Sequence, residues 1–566
     1  MRLKKEMLRK FVFGFSLLLL SGMVYMLGQR LQFPVEAIDL DTTLSQLPGY
    51  TAYSLFRMLV AYFFSFFFAV LYGYLAATLQ KAEGPMVALL DVLQSVPILG
   101  FFPVAVLFFV NLFQGSRIGI EVASIFLIFT SMSWNMAFSV YESFKTVPED
   151  LREAAGALGL RGWDRFRIGL FPICIPRLIY SSMISWSGGW YFLIAAEIIA
   201  IGPIKHELPG LGSFLIQATE SGHIGRTVLG LLVLIAVITC FSIFVWRPLA
   251  VWGEKFRYEF VSSQSPSHSF ALQWYRKLRL FSILGIGLSP FRTALSYLCR
   301  PVVRRLQERG HPTLHFSLKA MGGIFLMATL YGLGKSLMLL IQGLSRPLPS
   351  ESAEIPFAVL ASFLRLSIAY VIALAWTLPV AYWVGKSPRA LKIITPIAEI
   401  GAAIPAPALF PFFILFAMHV IGGMNGAAVL LILTGMQWYL LFNLIGGVQT
   451  IPLDLKEGAR ALGITGWRYW KRLYLPAIFP SLVTGSITAW GGGWNALIVS
   501  EYVVYQQETH SVLGIGAMLD RAIYESGDEQ MILLTLMTMI LTIAILNRFF
   551  WRRLYLYAMG NFKLEY

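Results

Sequence analysis

Runs of apolar residues long enough to cross a bilayer recur along this chain, and no other feature restricts its fold as much. About 20 apolar residues in a helix cover the hydrocarbon core. Such runs lie near residues 11–29, 52–79, 86–112, 118–141, 173–201 and 224–247. Six more lie near 320–342, 358–384, 392–420, 426–448, 477–504 and 531–551. With 57% hydrophobic and 13% charged residues over 566 positions, the chain has too little charge to cover a soluble surface. The expected class is an all-α polytopic membrane protein with about twelve transmembrane helices. The first run, Phe11–Gly28, follows the basic stretch MRLKKEMLRK with no small-x-small cleavage site after it, and reads as an uncleaved helix.

The net charge of +15 does not point to nucleic acid, because the basic residues sit between the apolar runs and not on an aromatic-interleaved face. A cytoplasmic N-terminus places Lys386, Arg389, Lys392, the 248–319 segment, Arg552 and Arg553 inside. It places Glu36, Asp39, Asp41, Glu351, Glu354, Asp528 and Glu529 outside, so both termini are expected in the cytoplasm. The basic segment contains Arg276, Lys277, Arg279, Arg304, Arg305 and Arg309 and a short apolar stretch near Leu280–Leu288. That pattern suits either an interfacial helix or a solvated linker. Cys174, Cys240 and Cys299 have no CxxC or zinc spacing, so neither a structural disulfide nor a metal site is expected.

The two sets of runs are copies. Trp134 and Trp438, Pro148 and Pro452, Glu153 and Glu457, Pro172 and Pro476, and Glu197 and Glu501 are each 304 residues apart. Upstream, Arg57 and Arg365, Pro97 and Pro405, and Pro103 and Pro411 are 308 apart. An even number of spans per copy gives a parallel repeat about an axis along the membrane normal, with a pathway between the halves. The expected organisation is a helix and external loop (1–50), a transmembrane domain (51–250), a basic cytoplasmic linker (251–319), a helix and external loop (320–356) and a second transmembrane domain (357–555).

Two cytoplasmic loops repeat most closely. VPEDLREAAGALGLRGW at 147–163 and IPLDLKEGARALGITGW at 451–467 are identical at ten of seventeen positions. Pro148 and Pro452 suit a helix start, and Asp150 and Asp454 put a negative charge at its positive end. Leu151, Ala155 and Leu158 fall at i, i+4 and i+7, as do Leu455, Ala459 and Leu462, forming a small apolar face. Gly159 and Gly463 can end the helix. Hydrophobicity alone does not require the Glu and Gly positions to repeat, so a partner outside the bilayer is expected to read these loops.

The loops resemble the EAA motif of type I ABC importer permeases: Glu153, Ala154, Ala155, Gly159 and Pro172 in one copy, Glu457, Gly458, Ala459, Gly463 and Pro476 in the other. Gly458 departs from the usual Ala, and Gly169 and Phe171 stand where Ile and Leu are preferred. Trp190 to Glu197 followed by Gly210-Leu211-Gly212, and Trp494 to Glu501 followed by Leu513-Gly514-Ile515-Gly516, are similar to the nitrate, sulfonate, taurine and bicarbonate branch. The resemblance implies a six-helix domain present twice, coupling helices that dock on ABC ATPase subunits, and an extracytoplasmic solute-binding protein. It further implies a small, anionic substrate and a place in a prokaryotic inner membrane. ATP and Mg belong to the partner ATPase, because no phosphate-binding Gly-rich loop is present: Gly334-Lys335-Ser336 lacks its first glycine, with Thr329 in that place.

Ionisable residues inside spans are costly and mark candidate pathway positions. Arg57, Glu197, Arg365 and Glu501 are such residues, in matched pairs that can form ion pairs or, for the arginines, reach the headgroups. Trp190, Trp494 and Asn495 follow glycine runs and are either pathway residues or packing points. A secondary transporter also explains parallel repeats but not the matched loops, and no acid, base or metal cluster supports a membrane enzyme.

Overall fold

The computed structural model describes residues 43–79, 83–95, 98, 105–106, 108–110, 112–113, 116–147, 149–159, 165–201, 204–256, 347–404, 409, 412–413, 416–417, 423–449, 451–505 and 508–562. The runs at 11–29 and 320–342 and nearly all of the linker lie outside these residues. Those at 86–112 and 392–420 are described in part.

In the first copy the elements are α1 (Leu47–Thr78), α2 (Glu83–Ser95), α3 (Arg117–Lys145), α4 (Glu149–Ala157), α5 (Phe171–Glu197), β1 (Ile198–Ile201), β2 (Ile204–Glu207), α6 (Leu211–Glu220), α7 (Ile224–Phe241) and α8 (Arg247–Gly253). The second copy repeats the order as α9 (Ile355–Lys386), α10 (Pro388–Ala403), α11 (Met424–Gln449), α12 (Leu453–Ala461), α13 (Leu475–Glu501), β3 (Tyr502–Tyr505), β4 (Glu508–Ser511), α14 (Ile515–Arg521), α15 (Glu529–Leu546) and α16 (Arg552–Asn561). The long helices α1 and α9 each start with a proline in their first turn, where a missing N–H costs nothing.

Seven described helices are long and apolar enough to cross a membrane: Leu44–Thr78, Arg117–Lys145, Ile224–Phe256, Ser350–Lys386, Met424–Gln449, Gly466–Glu501 and Gln530–Ala558. The expected count of about twelve is therefore not reached among the described residues. Helix α5 is as long as its copy α13, at 27 residues, but is not among the seven. Its middle carries Ser181, Ser182, Ser185, Ser187, Gly188 and Gly189, which lower its hydropathy.

The fold is the expected all-α polytopic membrane class, and each copy also holds one short antiparallel hairpin. Ile198 pairs with Glu207 and Ile201 with Ile204, and in the second copy Tyr502 pairs with Ser511 and Tyr505 with Glu508. The β-branched and aromatic residues just after Glu197 and Glu501 favour extended backbone. Each hairpin also returns a donor to the helix end, with Leu208 N–H bonded to the Glu197 carbonyl at 2.8 Å and Val512 N–H to the Glu501 carbonyl at 3.0 Å.

Contacts divide the described chain into two compact units that do not follow the repeat. One holds 139–181 and 243–256, and the other holds the rest of the described residues to position 562. In the first unit α8 closes on α5, where a Cβ on Gly253 would fall 2.7 Å from Ile179 Cδ1. Arg177 and Glu142 form an exposed ion pair nearby. In the second unit α11 and α13 lie against each other through small residues. A Cβ on Gly492 would fall 2.2 Å from the Gly435 carbonyl oxygen, and one on Gly447 would meet Ser481 at 2.5 Å.

Candidate docking helices and ion-pair nodes

Both repeated loops fold as nine-residue helices, α4 and α12. Helix α12 ends in a Schellman arrangement: Gly463 has φ +64°, its N–H bonds the Arg460 carbonyl at 3.0 Å, and Ile464 N–H bonds the Ala459 carbonyl at 2.9 Å. Gly159 ends α4 in the same left-handed conformation, with φ +68° and a 3.0 Å bond from its N–H to the Gly156 carbonyl. An L side chain at either glycine would strain the turn. The expected apolar face is divided: Ala459 is buried, whereas Leu455 is exposed. Leu158 and Leu462 are both 77% exposed, and Trp467 is 74% exposed. Burying one such leucine fully gains about 1.5–3 kcal/mol, so each offers surface to a partner. Glu153, Ala154, Glu457 and Gly458 are exposed beside them.

The supports beneath the two helices differ. Phe166 packs near Phe144 and Phe171 in the first unit, with centroids 6.1 and 5.5 Å away. In the second unit Tyr382 meets Trp470 and Tyr474, both at 4.9 Å, and Lys386 lies 4.3 Å over the Tyr382 ring. Helix α4 carries three acidic residues and one basic, whereas α12 carries two of each. On α12 partial burial, and then the neighbouring Arg460, push the Lys456 ammonium below its usual range.

At the other ends of the spans the matched ionisable residues come together within the second unit. Arg57 Nη1 donates to Glu197 Oε1 at 2.8 Å, and Arg365 Nη1 to Glu501 Oε1 at 2.6 Å. Ser54 Oγ donates to Glu197 and Ser362 Oγ to Glu501, at 2.5 and 2.6 Å. The other carboxylate oxygen receives the first turn of the following short helix, with Gly212 N–H on Glu197 at 2.7 Å and Gly516 N–H on Glu501 at 2.9 Å. The serines accept the preceding N–H groups, Leu211 at 2.8 Å and Ile515 at 3.0 Å. Side chains at Gly210 and Gly514 would occupy the carboxylates themselves, at 2.2 and 2.1 Å. Arg57 is 2% exposed and Arg365 7%, so both are held in ion pairs and do not reach outward.

The nodes are not identical. Arg57 makes two further bonds of 2.7 Å to Glu121, whereas Asn425 stands 304 residues on and accepts only from Arg365 Nε at 2.9 Å. The second node has its extra acid elsewhere, at the buried Asp520 on α14, where the first copy has Ile216. Burial, together with the nearby Glu501 charge, pushes the Asp520 carboxyl well above the usual range.

Trp190 and Trp494 are buried packing residues. Asn495 accepts Ile98 N–H at 2.6 Å and donates to the Gly491 carbonyl at 3.0 Å. None of the seven candidate pathway residues lines the cleft found in the second unit, which runs between α5 and α10, α11 and α13. Sequence reasoning omitted Ser54, Ser362, Glu121 and Asn425. The two serines carried a usable signal: each lies three residues before a matched arginine, at the same 308-residue offset. Among the described residues, no three His, Cys, Asp or Glu side chains gather at metal-binding distance.

Two in-register helical repeats, each with an exposed loop helix and a closed Arg–Glu node, define a duplicated membrane transport component. The chain belongs to the family of binding-protein-dependent transport system inner membrane components, which matches at residues 69–246 and again at 377–554. It is similar to the nitrate import permease protein NrtB of Leptolyngbya laminosa, at 26% identity over 33% of this chain and 64% of that protein. It is similar to the taurine transport system permease protein TauC of Escherichia coli K12, at 27% over 29% of this chain and 55% of the other. A third relative is the bicarbonate transport system permease protein CmpB of Synechococcus elongatus, at 28% over 28% of this chain and 53% of the other. The chain thus spans between about half and two-thirds of these relatives' length.

Proposed function

We propose that this chain is a transmembrane permease subunit of an ATP-binding-cassette importer, with two fused copies of the domain, and passes a small anionic solute across the inner membrane of a prokaryote. The observation that carries the reading is the duplicated helix, glycine-capped in both copies and with a leucine 77% exposed in each. Such a surface suits a cytoplasmic partner, and the family to which the chain belongs is one of binding-protein-dependent transport. Separate ATPase subunits bind Glu153, Ala154, Ala155 and Gly159 on one loop and Glu457, Gly458, Ala459 and Gly463 on the other. ATP and Mg act on those subunits. When ATP closes them, the docked helices are drawn together and the pathway turns outward to receive solute from a binding protein. Hydrolysis releases the halves.

The solute class follows from relatives named for nitrate, taurine and bicarbonate, all small and oxygen-rich. Both termini are cytoplasmic in this reading. The nodes at Arg57 and Arg365 act as clamps, holding each hairpin and short helix against the span ends that flank the pathway. No observation favours a secondary transporter. Purification from native membranes tests the proposal: an ABC ATPase is expected to accompany the chain, and ATP to drive uptake into vesicles. A chain that purifies alone and ignores ATP overturns it.

A further inference from the structure

The cleft in the second unit is lined from both family copies, by α5 of the first and α10, α11 and α13 of the second. Among the described residues, no charged side chain lines it. Two tyrosines do, one from each copy, and they reach across it reciprocally. The Tyr191 hydroxyl of α5 lies 3.4 Å from the position a Cβ on Gly435 of α11 would take, and the Tyr439 hydroxyl of α11 lies 3.5 Å from that of Gly188 on α5.

The remaining hydroxyls of the cleft spend their protons on their own helices. Ser187 Oγ donates to the Met183 carbonyl at 3.2 Å and Thr434 Oγ1 to the Leu431 carbonyl at 2.6 Å. The Tyr191 hydroxyl is buried and has no hydrogen-bond partner among the described residues. The Tyr439 hydroxyl makes no bond among them either. A buried phenol without an acceptor is unfavourable, and a ligand that supplies one removes that cost. Two O–H donors without protein acceptors among the described residues, one from each wall of the cleft, select a ligand presenting two or more acceptor oxygens. With no cation present, binding is loose enough for the ligand to leave again, as a conducting path requires.

We propose that Tyr191 and Tyr439 form a two-donor transit site for a small oxyanion, contacted through its oxygens and not neutralised by protein charge. The inference rests on the permease reading and names the site within it. Arg57 and Arg365 do not line the cleft: Arg57 is engaged with Glu121 and Glu197, and Arg365 with Glu501, Asn425 and the Leu513 carbonyl.

The test places 3-fluorotyrosine at 191 and at 439 in the full-length chain and follows the fluorine resonances while sodium nitrate or sodium methanesulfonate is added. Sodium chloride at equal ionic strength is the control. Both resonances are expected to shift saturably with the oxyanions. Tyr439→Phe is expected to weaken the response at position 191 at least fivefold, and Tyr191→Phe to do the same at 439. Each substitution removes an oxygen that makes no bond among the described residues, so the melting temperature is expected to stay level or rise. Shifts no larger than in chloride, or unchanged affinity in the phenylalanine variants, overturn the site. ATP-driven uptake by the wild type is read separately, so failure of the importer reading is distinguishable from failure of the two-tyrosine site.

Discussion

The two ion-pair nodes hold the same elements with different charge. In the first, one guanidinium serves two carboxylates, Glu121 and Glu197, which leaves an acid in excess. In the second, Arg365 serves Glu501 alone, Asn425 fills the third place, and the spare acid, Asp520, has no ion pair among the described residues. The architecture therefore depends on the Arg–Glu–Ser core and the glycine pair that lets a helix N-terminus approach it. The second carboxylate is dispensable to that architecture. Duplication kept what closes the helix end and let the surrounding charge drift.

Removing the shared carboxylate is expected to separate the nodes most. Glu501→Ala leaves Arg365 buried with only neutral partners, and losing one member of a buried pair costs about 3–5 kcal/mol. Glu197→Ala leaves Arg57 its bidentate bonds to Glu121 and is expected to cost less. Thermal unfolding in detergent measures the order, and equal losses would contradict the asymmetry. A middle-sized effect is expected from Glu121→Asn, which makes the first node resemble the second. It should cost about 1–3 kcal/mol, the range for a lost charge-assisted bond. No loss of stability in that variant would mean the extra acid is idle.

The smallest effect concerns Asp520. Its carboxyl is raised in the folded state, so it holds its proton more firmly there than in the unfolded chain. That contribution to stability is fully present below the unfolded value, near 3.8, and is lost as the pH rises through the folded value. Asp520→Asn mimics the protonated form. The variant is expected to match the wild type in acid and to melt at higher temperature near neutral pH. A gap that does not widen with pH would show that Asp520 has a partner when ionised.

Legibility in the sequence followed the range of the interaction. The two loop helices were readable as helices because helix start, apolar spacing and terminal glycine all lie within seventeen residues, and the copy 304 residues on repeats them. Arg57, Glu197, Arg365 and Glu501 stood out as costly charges in apolar runs. Their serine partners did not, because a serine in a span carries no comparable penalty and its bond joins residues more than 130 positions apart. The hairpins were hidden for another reason. Ile198–Ile201 and Tyr502–Tyr505 continue the apolar runs, so hydropathy merges them with the helices that end at Glu197 and Glu501. Tyr191 and Tyr439 showed no signal along the chain, because each hydroxyl lies against a helix of the other copy.

The central claim is that both loop helices bind an ATPase through their exposed leucines, and one measurement addresses it directly. ATPase stoichiometry is determined in complexes purified from native membranes for the wild type, for Leu158→Asp and Leu462→Asp singly, and for the double variant. The account predicts two ATPase subunits per wild-type chain, weaker retention in each single variant, and loss in the double variant with membrane insertion unchanged. A double variant that inserts normally and still carries its full complement of ATPase would contradict it.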